Sequence, residues 1–101
     1  MKWVEEKSRL YNAGTKYTAK INNSLTLMLN VSELEKGKQT RTGYLSICSG
    51  NVPIHNVSFG AFDVESAKDR SVVEARNFIE QGIERYRGML DALERANAET
   101  E

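Results

Sequence analysis

Very little in these 101 residues could serve as a chemical tool: one cysteine, one histidine, one proline and one tryptophan. A lone Cys48 rules out a disulfide within the chain and points to a reducing compartment, so a cytoplasmic location is expected, with Cys48 acting as a small buried hydrophobe. One histidine and one cysteine cannot fill a tetrahedral zinc shell, and no carboxylate run has calcium-loop spacing. The glycines stand singly at 14, 37, 43, 50, 60, 82 and 88, so no phosphate-cradling loop is present. No cofactor or metal is expected. No run approaches the ~18 apolar residues of a membrane span. Met1 to Lys7 turns acidic before any apolar stretch forms, so no secretory signal and no membrane partner are expected.

Net charge is also missing, at +0 overall, yet its halves differ. Residues 1–60 hold eight Lys/Arg against four Glu, and residues 61–101 hold six against ten Asp/Glu. Such polarity can steer a partner, although two differently solvated faces would look the same.

What is present is periodicity. From 15 to 64 it is two. Leu25, Leu27, Leu29 and Val31 alternate with Thr26, Met28, Asn30 and Ser32, and Tyr17, Ala19 and Ile21 precede them across the turn-forming Asn22-Asn23-Ser24. A three-residue loop there sets Tyr17 opposite Leu29 and Ala19 opposite Leu27. A turn centred on Gly37 sets Leu29 opposite Leu45 and Leu27 opposite Ile47. A third turn, centred near Val52, sets Ile47 opposite Val57, Leu45 opposite Phe59 and Gly43 opposite Ala61, with Arg41 facing Asp63 and Tyr44 facing Gly60. All three turns put the apolar residues on one face, so burial should select this parity.

After Val64 the period becomes 3.6. Ser66 with Asp69, or Ser71 with Glu74, offers a helix start, and Val72, Ala75, Ile79, Gly82, Ile83, Tyr86, Met89, Leu90 and Leu93 form one stripe. The reading is a single domain over 1–101 of the α+β class. It has two layers: a four-stranded antiparallel meander over 15–64 and a long C-terminal helix over 66–97, lying across the apolar sheet face. Ile79 is expected in the helix–sheet core. Residues 1–12 are ambiguous, because Trp3, Val4, Lys7, Leu10 and Tyr11 fit a short helix or a strand equally well, with Asn12-Ala13-Gly14 ending the segment.

The other sheet face then carries Lys16, Lys20, Met28, Tyr44 and Phe62 among hydroxyl and amide side chains. Covering by Trp3, a second subunit or a ligand is expected there. A Cys48–His55 dyad fails because this register sends the two to opposite faces with no third group to orient the histidine. The function expected is a non-catalytic protein–protein interaction module, a small regulator or inhibitor of the kind phages and mobile elements encode against host defence systems. Its partner would be another protein or a second copy of itself as a homodimer. Met28, Tyr44, Phe62, Lys16, Lys20 and Trp3 are the candidate contact residues. The alternative is single-stranded nucleic-acid binding, with Tyr44 and Phe62 as stacking platforms and Lys16 and Lys20 on phosphates. A remoter one is an enzyme whose site is shared across a dimer.

Overall fold

The computed structural model describes residues 1–7 and 14–99. Five strands, β1 (Val4–Lys7), β2 (Thr15–Lys20), β3 (Thr26–Val31), β4 (Arg41–Ser49) and β5 (Val52–Ala61), form one antiparallel sheet in the order β1-β2-β3-β4-β5. A single helix, α1 (Val64–Glu99), follows. The expected α+β meander and helix are therefore present, with one strand added. Residues 4–7 pair with β2, Val4 with Thr18 and Glu6 with Lys16, which settles the start of the ambiguous segment as strand. Leu10, Tyr11, Asn12 and Ala13 lie outside the described residues.

The first two hairpins have the expected registers. Tyr17 faces Leu29 and Ala19 faces Leu27, and across the next pair Leu29 faces Leu45 and Leu27 faces Ile47. The Asn22 side chain organises the first turn by accepting from the Ser24 and Leu25 N–H groups at 2.8 and 2.9 Å. Gly37 makes the second turn with a φ of 85°, a left-handed conformation that other residues adopt at a cost.

The third hairpin is a correction. Leu45 faces Val57 rather than Phe59, Gly43 faces Phe59 rather than Ala61, Arg41 faces Ala61 rather than Asp63, and Tyr44 faces Ser58 rather than Gly60. The chain turns earlier than expected, through Gly50-Asn51 between the paired Ser49 and Val52, with Gly50 at φ 61°. Cys48 pairs with Pro53 but Ile47 pairs with His55, so Ile54 is the extra residue of a bulge. The outcome is a register two residues from the expected one. Such a shift preserves which face every side chain occupies, and burial therefore cannot discriminate against it. The aromatic-over-glycine contact also moves to the helix side: the Phe59 ring covers Gly43 so closely that an added Cβ would stand 2.6 Å from it.

Helix α1 starts two residues earlier than expected, at an Asp63 cap. The Ser66 N–H donates to Asp63 Oδ1 at 2.7 Å and the Asp63 N–H donates back to Ser66 Oγ at 3.1 Å. The bond from the Ser66 backbone, that residue's side chain and the charge of Arg41 together hold the Asp63 carboxyl below the ordinary aspartate range. Ser71 is not a cap. It is fully buried inside the helix, its hydroxyl bonded at 2.8 Å to the Ala67 carbonyl one turn back.

Val64, Ala67, Ser71, Ala75 and Phe78 face the sheet, and they meet Tyr17, Ala19, Leu27, Leu29, Val31, Leu45 and Ile47. Three of those five are small, which lets helix and sheet approach closely. The Lys68 ammonium adds a cation–π contact, 4.7 Å from the Tyr17 ring centre. This layer stops near Phe78. A six-residue strand is only ~20 Å long, whereas the 36 residues of α1 extend ~54 Å. The second half of the helix therefore overhangs. The molecule measures 66 × 28 × 24 Å, with a Cα radius of gyration of 17.9 Å, against about 13 Å for a compact chain of this length. Ile79, expected in the core, is 40% exposed.

Candidate interaction surfaces

Among the described residues, two surfaces lack a cover. The first is the sheet face turned away from α1, where sequence reasoning placed its candidates. The pairing aligns Glu6, Lys16, Asn30, Tyr44 and Ser58 in one row and Val4, Thr18, Met28, Ser46 and Asn56 in the next. Lys16, Met28 and Tyr44 thus share this face. Lys20 lies at its far end opposite Thr26, and exposed Phe62 follows directly after β5.

Trp3 does not join them. Glu5 pairs with Tyr17, so the residue two before it points to the helix side, and Trp3 packs on the core there. It lines a cavity of about 370 Å³ with Met1, Glu65, Lys68, Asp69 and Val72. Of the three covers expected for the open face, Trp3 is therefore excluded.

The open face is mostly polar. Ser46 donates to Asn56 at 2.7 Å, and the Cys48 thiol lies 3.8 Å from the Met28 sulfur. Lys16 has Glu6 as its direct cross-strand neighbour, so a carboxylate competes there with any incoming phosphate. At the second turn, Lys38 is held by Glu35 at 2.8 Å, an exposed pair that lowers the Glu35 pKa. His55 stacks flat on Phe78 on the helix side, 4.4 Å between ring centres, while Cys48 lies beside Met28 on the other face. The two are not a dyad. Among the described residues no group of three or more His, Cys, Asp or Glu could hold a metal, and no helix is long and apolar enough to cross a membrane.

The second surface is one that sequence reasoning had assigned to the core. Beyond Phe78 the apolar stripe of α1 continues with no cover among the described residues: Ile83 is 47% exposed, Tyr86 67%, Leu90 53% and Leu93 66%. It is no mere extension of the sheet-facing side. At 3.6 residues per turn, the stripe from Ile79 to Leu93 is rotated roughly 80° from the line through Val64, Ala67, Ser71, Ala75 and Phe78. The helix thus has two apolar faces, one spent on its own sheet and one free.

At its base the free stripe runs into an apolar cavity of about 320 Å³, lined by Ile21, Leu25, Leu27, Val72, Ala75 and Ile79, with Met1, Arg76 and Glu80 around it. The signal that could have revealed this surface was a length. A stripe reaching residue 93 outruns any sheet built from strands of six to ten residues.

Comparison with known proteins adds no relative: no family model, no curated protein and no solved structure matches the chain.

Proposed function

We propose that this chain is a non-catalytic protein-interaction module, a small regulator or inhibitor whose two-layer body holds out a helix for another polypeptide. One observation carries the reading: the uncovered apolar stripe on the overhanging half of α1. Contiguous exposed apolar surface of this kind marks interaction sites, because leaving it in water is unfavourable unless a partner buries it. An amphipathic helix with anchors at i, i+4 and i+7 is also a standard recognition element. The separation of Cys48 from His55 supports the non-catalytic half of the proposal.

Single-strand binding draws less support. The open face offers Tyr44 with Lys16, but Lys16 faces Glu6, and the acidic half of the chain includes the helix. Anisotropy with labelled single-stranded DNA and RNA is expected to show no binding at micromolar protein and moderate salt. The positive test is affinity capture from the cells that express the chain, using wild type and Tyr86→Glu/Leu93→Glu as parallel baits. A polypeptide, whether another protein or the untagged chain, is expected on the first bait and missing from the second. Identical captures, or tight nucleic-acid binding abolished by Tyr44→Ala, would move the site back to the sheet.

A further inference from the structure

We infer that the polypeptide seated on this stripe is a second copy of the chain, joined through an antiparallel pair of α1 helices. The inference rests on the preceding reading of the stripe as an interface and names its occupant.

Spacing comes first. Ile79, Ile83, Tyr86, Leu90 and Leu93 are separated by four, three, four and three residues. That alternation drifts slowly around an α-helix, by about 20° per heptad, and is the seam that a second helix follows in a left-handed pair.

Area comes second. The exposed fractions of Ile79, Ile83, Tyr86, Met89, Leu90 and Leu93 leave on the order of 600 Å² per chain, against about 800 Å² per partner in a standard interface. A homodimer built on this helix alone therefore falls at the small end of specific interfaces.

Charge then decides orientation. In an antiparallel pair with Ile79 opposite Leu90 and Ile83 opposite Tyr86, Glu80 of one copy lies beside Arg87 of the other. Two-fold symmetry repeats that contact, giving two opposite-charge flanks. A parallel pair brings Glu80 against Ala75 and Arg87 against Gly82, and neither flank gains a partner.

The cavity supplies the fourth argument. In the antiparallel register Leu93 of the second copy comes level with Arg76, beside the apolar hollow of Ile21, Leu25, Val72 and Ile79. Each copy's helix end thus covers a hollow in the other, which a parallel pair leaves open.

Sedimentation equilibrium on the full chain, from about 1 to 200 µM, tests this with four proteins. Wild type is expected to dimerise within that range. Leu90→Glu should weaken dimerisation by more than about 100-fold, since it places a charge in the desolvated seam. Glu80→Arg should weaken it roughly 10-fold by setting arginine against arginine. Glu80→Arg/Arg87→Glu should restore it to within about threefold, because the swapped pair re-forms across the two-fold axis. Circular dichroism should be unchanged in all four.

A wild type that stays monomeric to 200 µM overturns the second copy, and the two-bait capture then judges the interaction reading on its own. A dimer indifferent to Leu90→Glu puts the interface elsewhere. Failure of the double swap to rescue overturns the antiparallel arrangement.

Discussion

Leu29→Ala is expected to remove about 3–4 kcal/mol of folding stability, the upper-middle of the range for deleting a fully buried leucine. Leu29 has no exposed surface, lies between Tyr17 and Leu45 across its two neighbouring strands and belongs to the cluster beneath α1. The close-packed sheet around it cannot collapse to fill the void. Against a typical total of ~5–15 kcal/mol this is a large fraction. Leu90→Ala is the informative contrast. Its side chain is 53% exposed and outside the core cluster, so in the monomer its loss should stay within about 0.5 kcal/mol. Any further loss should grow with protein concentration, because it reports association and not folding. Urea melts at two concentrations tenfold apart separate the cases. A loss at Leu90 as large as that at Leu29, and independent of concentration, would mean that the helix folds back onto its own sheet.

Ala67→Leu is expected to cost about 1–3 kcal/mol, in the opposite way: by overfilling. Ala67 is fully buried in the first turns of the helix, and the neighbouring contact residues Ser71 and Ala75 are equally small. Together they set the short distance between helix and sheet. Three extra carbons there must either push α1 outward or displace the core side chains around it. A thermal melt several degrees below wild type, with helix content retained, is the result expected. An unchanged melting temperature would show that the interface has slack the buried side chains do not suggest.

The parts of this fold that were legible in the sequence are those governed by parity. Leu25, Leu27, Leu29 and Val31 alternate so cleanly that their face followed at once, and the Asn22 and Gly37 turns left little freedom in two registers. The Gly50 turn was different. Two registers separated by two residues bury the same side chains, and the choice between them rests on a two-residue turn and a bulge at Ile54, neither of which changes the hydrophobic pattern. The first strand was hard for a related reason: the paired Val4–Lys7 is too short to show a period of its own.

The helix stripe was misplaced in the core because burial was inferred from hydrophobicity alone. Val72, Ala75 and Ile79 through Leu93 read as a single stripe, and a single stripe was assigned to a single partner, the sheet. The helix instead turns one face to the sheet as far as Phe78 and a second, rotated face to solvent beyond it. Comparing ~1.5 Å of rise per helical residue with the reach of the strands would have shown the overhang. Composition alone could not have shown which of Phe78, Ile79 and Ile83 sits at the boundary. The open sheet face carries Met28 and Tyr44 among hydroxyls, amides and an opposed Lys16–Glu6 pair.

The central claim is that the second half of α1 is held away from the body with its stripe free for another chain. Small-angle X-ray scattering of Leu90→Glu, the variant expected to remain monomeric, tests it most directly. The mass of one chain is expected, with a radius of gyration near the 17.9 Å of the structure and a longest dimension near 66 Å. A single-chain mass with a radius near the ~13 Å of a compact domain of this length would contradict it, because the helix would then have closed onto its own sheet.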